Sequence, residues 1–346
     1  MKKHDDLITY GIVIAAYVVF QTLSLTGNLS SHMKGLLVPM TYYAVIAVAL
    51  NLCVGILGEL SIGHCGFMCI GAFTSAFFSK ATEESIPTVP RFILAFVIGI
   101  AFAALFGFLI GIPVLRLKGD YLAIVTLAFG EIIKNVINAF YIGIDKNGFH
   151  FSLKNSMELG MEPDGNLIVN GAMGITGTPH NSNFTIGIVI LLLSLFVVQN
   201  LIKSRDGRAI MAVRDNYIAA EATGINVTNY KMMAFVISAA IAGAAGVLFS
   251  HNITTLTASS QYFGYNASIM ILVYVVLGGI GNIRGSVLAA CILYLLPELL
   301  RGLNTYRMLI YSIILIVMMI VNWSPKIIDL RKRLSKKIGL GAKAKA

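Results

Sequence analysis

Charge is scarce in this chain: Asp, Glu, Lys and Arg together fill 12% of its 346 positions. A soluble domain of that length carries about twice as much to keep its surface in water, so a soluble fold is excluded. Cysteine is scarce too. Cys53, Cys65, Cys69 and Cys291 all lie inside apolar segments, none in a CxxC pair, which argues for buried small apolar side chains rather than a metal site or a disulfide framework. No GxxxxGK[ST] run occurs, so the chain does not hold ATP on a phosphate loop; HExxH and GxSxG are absent as well. Nothing in the sequence calls for a catalytic residue, a bound metal or a cofactor, and an enzyme is not expected.

Apolar residues, by contrast, fill 57% of the chain, and its mean hydropathy is +0.81. Apolar stretches recur at 7–25, 35–57, 61–79, 92–113, 121–141, 184–202, 232–250, 262–280, 286–300 and 306–322. Each approaches or exceeds the ~20 residues that cross a ~30 Å hydrocarbon core as a helix. The first is too long for a signal-peptide core and is read as an uncleaved helix. The 33 glycines suit helices whose backbones approach closely in lipid. The expected fold is all-α: a polytopic membrane bundle of about ten transmembrane helices, filling residues 1–325, with a basic tail at 326–346.

Ten spans with both termini cytoplasmic place eighteen of the 26 Lys and Arg inside and seven outside, with Lys134 in the membrane. Nine spans would put the heavily basic tail outside, so the positive-inside bias selects ten. The +10 net charge is then a basic edge facing an anionic inner leaflet; no basic, aromatic-interleaved soluble domain exists to bind nucleic acid. On this topology 143–183 is a long polar external loop, either a cap that meets a delivery protein or a passive segment. The basic loop at 203–231 is cytoplasmic.

That loop, KSRDGRAIMAVRDNYIAAEATGINVTNYK, is the most informative segment. Residues 209–213 and 218–222 predict a short amphipathic helix, with Arg205, Arg208, Arg214, Asp215 and Glu221 as a charged rim. Gly224 is placed to end it and Asn226 to cap the next helix. Such a loop either docks on a soluble partner or lies on the inner leaflet.

Within 121–141, Glu131, Lys134 and Asn135 fall at i, i+3 and i+4 on one helical face. Ionisable groups at bilayer depth pair with one another or face a wet path, so this trio is either a structural pin or part of a solute pathway. Glycines at 55, 58, 63, 66 and 71 mark the most breakable stretch of the membrane domain. His64, inside it, is a packing histidine, a proton relay or a ligand contact.

Four blocks carry a resemblance: LNLCVGILGELSIGHCGFMCIGAF (50–73), LRLKGDYLAIVTLAFGEIIKNV (115–136), GRAIMAVRDNYIAAEATGINVTNYKMMAFVISAAIAGAAGVL (207–248) and ILVYVVLGGIGNIRGSVLAACILYLLPELL (271–300). Taken in order, the chain resembles the LivM-type permease of branched-chain amino acid ABC importers. AAEATG at 219–224 is similar to the loop by which ABC permeases dock on their ATPases, without the apolar-Leu-Pro ending of other importers. The resemblance implies ATPase-coupling roles for Arg208, Arg214, Ala220, Glu221, Ala222 and Gly224. It implies a LivH-type sister permease, two cytoplasmic ATPases that bind ATP and Mg, and an extracytoplasmic binding protein, all in a bacterial inner membrane. Leucine, isoleucine and valine are the implied cargo, with other small polar solutes as relatives' cargo. The alternative is a gradient-driven transporter or channel, using Glu131 or His64 as a proton site.

Overall fold

The computed structural model describes residues 3–323 except 28, 118, 146–147 and 162–164; the basic tail at 326–346 lies outside the described residues. The chain divides into two compact units, Met1–Cys291 and Ile292–Ala346. The first opens with α1 (Lys3–Leu25), α2 (Ser31–Asn51), α3 (His64–Ala81), α4 (Thr88–Val114) and α5 (Asp120–Asn138). Strands β1 (Tyr141–Asp145), β2 (Gly148–Ser152), β3 (Asn166–Asn170) and β4 (Ile175–Thr176) follow. Next come α6 (Phe184–Lys203), α7 (Arg205–Asp215), α8 (Tyr217–Ala222) and α9 (Val227–Ser250). The remainder is β5 (Thr255–Leu256), α10 (Ser260–Phe263), α11 (Tyr265–Gly278), α12 (Ile283–Leu299) and, in the second unit, α13 (Arg307–Trp323).

Seven helical stretches among the described residues are long and apolar enough to cross a membrane: Ile8–Leu25, Ser31–Leu57, Thr88–Val114, Phe184–Lys203, Val227–Ser250, Ser260–Gly278 and Ile283–Gly302. The chain is a multi-pass helical membrane protein. The expected spans 61–79, 121–141 and 306–322 fall on α3, α5 and α13, which are outside those seven. The expectation of an all-α chain needs correction. β2, β1 and β3 form a three-stranded antiparallel sheet, and β4 pairs with β5. YIGID and GFHFS alternate apolar and polar or small residues across a two-residue connection, the period of a strand rather than a helix. The 121–141 span accordingly ends at Asn138, and the loop expected at 143–183 carries sheet.

Burial sorts the helices. In α2 and its extension 94% of the most apolar window is buried, in α9 72%, and in α1 only 11%. α2 and α9 are therefore central, whereas α1 is available to lipid. α9 meets α3 and α4 through small residues, because only these let helix backbones touch. A side chain at Gly71 would meet the Gly243 carbonyl oxygen at 2.4 Å, and one at Gly246 the Met68 carbonyl oxygen at 2.0 Å. Gly246→Val is therefore expected to push α9 off α3. Overpacking of this kind costs typically 1–3 kcal/mol, about the upper end here because the obstacle is backbone. A lowered midpoint of thermal aggregation in detergent checks this; an unchanged midpoint would mean that α9 and α3 are less closely seated.

α2 does not end cleanly. Leu52–Leu57 forms a π-helical turn, Gly58 turns left-handed at φ 82°, and the chain runs without helix until α3 begins at His64. The glycine-rich stretch is thus a break between two buried helices, and the span expected from 61 starts at 64.

Candidate functional site

The break at 52–63 is where several elements meet. A π-helical turn leaves carbonyls without their usual i+4 partners, and such turns concentrate at functional positions. One of these carbonyls, on Gly55, accepts a hydrogen bond from Nη1 of Arg214 at 3.0 Å. The rest of that guanidinium is held by Asp215, whose Oδ1 lies 2.9 Å from Nε and 2.8 Å from Nη2. Arg214 also lies over Gly58, where an added Cβ would meet its Cγ at 2.4 Å. Beside it Glu59 forms an ion pair with Lys231 near the start of α9, both side chains 13% exposed.

From the other side, Asn51 ties the break to the turn between α11 and α12. Its Nδ2 donates to Ser286 Oγ at 2.7 Å, and its Oδ1 accepts from the Gly281 N–H at 2.8 Å. Gly279 and Gly281 make that turn at φ 97° and 80°. The far end of the break is tied to α5 and α9: the Ile62 N–H donates to Thr126 Oγ1 at 3.1 Å, and His64 lies 3.1 Å from Ser61 Oγ and 2.6 Å from Ser238 Oγ. His64 is fully enclosed, with both ring nitrogens occupied. These contacts tie His64 to the break and to α9.

The 203–231 segment folds as two helices rather than one. Ser204 caps α7 by accepting from the Gly207 N–H, and Asn216 interrupts the pattern, capping α8 through the N–H groups of Ile218 and Ala219. Both caps satisfy amide donors that a helix start leaves free. Ile210, Val213 and Ala220 face inward and are buried, while Arg208, Glu221, Ala222 and Gly224 are exposed. Gly224 ends the segment at φ 85° and Asn226 caps α9. Of the six residues expected to couple, five are exposed, Arg214 among them although its fork also reaches back to the break, and Ala220 is buried beneath them.

On α5 the charged trio separates. Lys134 forms an ion pair with Glu131 and donates to Ser260 Oγ at 2.9 Å; Glu131 Oε1 accepts from the Tyr265 N–H at 2.7 Å. Asn138 Nδ2 donates to the Ala258 carbonyl at 3.0 Å. Glu131, Lys134 and Asn138 thus join α5 to the 258–265 stretch, while Asn135 is exposed and outside this cluster. No group of three or more His, Cys, Asp or Glu among the described residues could hold a metal.

Asn51, Glu59, Lys231 and Ser238 were not singled out by sequence reasoning. For Asn51 a signal was present: a lone amide inside the apolar run AVALNLCVGIL asks for an internal partner.

Comparison with known proteins agrees with this arrangement of blocks. The family model for the branched-chain amino acid transport system permease component matches residues 32–321. The high-affinity branched-chain amino acid transport system permease protein LivM of Salmonella typhimurium is 36% identical over 302 residues, covering 82% of this chain and 67% of the relative. The LivM protein of Escherichia coli is 35% identical with the same coverage. The LivH permease protein of Salmonella typhimurium is 26% identical over 253 residues, 72% of this chain and 79% of its own length. No solved structure matches. With a family match over most of its length, and the helix break and capped α7–α8 segment lying within the matched residues, the chain belongs to the family of branched-chain amino acid transport system permease components.

Proposed function

We propose that this chain is one of two permease subunits of an ATP-driven importer that carries leucine, isoleucine, valine or a related small polar solute across a bacterial inner membrane. Ten passes with both termini cytoplasmic complete the reading. A LivH-type sister forms the other half of the pathway, two ATPases sit beneath, and an extracytoplasmic protein delivers the cargo. ATP and Mg are bound by the ATPases, and this chain is not itself an enzyme.

One observation carries the reading. The α7–α8 segment is buried on one side, capped at each helix start and exposed along Arg208, Glu221, Ala222 and Gly224. A basic loop lying loosely on lipid needs no such rigid seat; a surface that must transmit force from a soluble partner does. The Glu131–Lys134 pair acts in this reading as a pin joining α5 to α11. Selectivity then comes largely from the delivery protein.

Purification from the native membrane in mild detergent tests the proposal. The expected result is a second hydrophobic permease and P-loop ATPases in the eluate. Glu221→Lys, which reverses an exposed charge without touching the core, is expected to reduce ATPase recovery about tenfold while leaving the chain in the membrane, since charge reversal at a docking rim costs on the order of 1.4 kcal/mol or more. Recovery of the chain alone, together with ATP-independent uptake in vesicles, would instead establish gradient-driven transport.

A further inference from the structure

We propose that Arg214 and the Glu59–Lys231 ion pair are the transmission residues of this permease. On this account Arg214 grips the helix break at 52–63 from α7 and Lys231 grips it from the first turns of α9, directly after α8, so that displacement of the α7–α8 segment becomes movement of the break. The inference rests on the importer reading above and extends it inward from the docking surface.

The argument begins with stiffness. α7 leaves α6 at a tight corner: an added Cβ at Gly207 would meet the Leu201 carbonyl oxygen at 2.0 Å, so corner and helix move together. Arg214 stands in the last turn of this lever. The break, by contrast, is soft. It combines a π-helical turn, a left-handed glycine and a non-helical run before His64, and interruptions of this kind are where helices bend.

The two grips bracket the soft point. Arg214 holds the Gly55 carbonyl and lies over Gly58, while Lys231 holds Glu59. A force applied at α7–α8 therefore arrives where the backbone yields most easily. It cannot stay there. Asn51 ties the upstream side of the break to Gly281 and Ser286, and Ile62 and His64 tie the downstream side to Thr126 and Ser238. Movement of the break reaches the α11–α12 turn and α5, the helix that carries the Glu131–Lys134 pair.

Arginine suits this task and lysine does not. The guanidinium fork serves Asp215 with two nitrogens and the Gly55 carbonyl with the third, whereas a lysine ammonium is a single point. Arg214→Lys keeps the charge and loses the link.

The test uses the assembled importer, with sister permease, ATPases and binding protein in proteoliposomes, and reads solute uptake and ATP hydrolysis in the same preparation. Arg214→Lys and, separately, Lys231→Met are each expected to assemble with ATPases at the wild-type ratio. Uptake per ATP should fall about tenfold, within the range usual for coupling between two sites. Exchanging the pair, as Glu59→Lys with Lys231→Glu, is expected to return uptake per ATP to within about threefold of wild type, because the attraction is retained with its ends reversed. Wild-type uptake per ATP in both single variants would overturn the proposal. So would loss of uptake only in proportion to lost ATPase recovery, since the contacts would then be structural. If the wild-type chain purifies without ATPases and transports without ATP, the importer reading fails first, and the transmission role falls with it.

Discussion

Lys134→Met is expected to be among the most damaging single changes in the chain. It removes a buried ammonium that satisfies both Glu131 and Ser260 and leaves the Glu131 carboxylate inside the bundle without its counter-charge. Stranding one member of a buried pair costs about 3–5 kcal/mol; Glu131 is 25% exposed, which places this case at about 3 kcal/mol. The check is the midpoint of thermal unfolding in detergent, together with the amount of chain recovered from the membrane. Adding Glu131→Gln to Lys134→Met removes the stranded charge and should regain most of the loss, since an amide can still accept from the Tyr265 N–H. If Lys134→Met melts like the wild type, the pair is no pin and the pathway role expected as its alternative gains ground.

Asn51→Leu is expected to cost nearly as much. The substitution is close in volume and suits an apolar helix, so simple hydrophobicity forecasts a gain. Yet Asn51 is fully buried and serves the Gly281 N–H and Ser286 Oγ together. Leucine leaves both without this partner, at about 1–3 kcal/mol for a stranded buried polar group and about 3 kcal/mol in total here. The measurement is again the unfolding midpoint, with Asn51→Asp as a companion: the carboxylate keeps the acceptor for Gly281 while losing the donor to Ser286. A midpoint for Asn51→Leu at or above the wild type would show that the α11–α12 turn does not depend on this amide.

Hydropathy located the seven membrane-length helices found among the described residues because lipid imposes one requirement on every span: its backbone must be satisfied internally by a helix of sufficient length. Glycine content located the break for a similar reason, since a left-handed turn at Gly58 and a close approach of α9 to α3 are both backbone demands that few other residues meet. The sheet was also legible, in the alternation of YIGID and GFHFS, but the polar connections around it drew attention to loop character instead. The junction was not legible at all. Arg214 and Gly55 are 159 positions apart, and Lys231 and Glu59 172. A single chain holds no local mark of which distant carbonyl an arginine will meet. Arg214 therefore read as part of an outward rim, although its fork is divided between Asp215 and the break. His64 carried three readings from sequence, and nothing local to it marked Ser238, 174 positions away, as its partner.

The small sheet has a consequence for how this protein could be watched at work. β4 pairs with β5 just beyond the end of α9, the Ser182 N–H donates to the His251 carbonyl, and Ser182 Oγ donates to the Leu248 carbonyl. The strand-bearing segment is thus stitched to the end of the helix whose other end carries Lys231. Met157, almost fully exposed, offers a place for a fluorophore or spin label on that segment without disturbing the bundle. A label there works as the needle of a gauge whose spindle is α9, since any shift of that helix end carries the stitched segment with it.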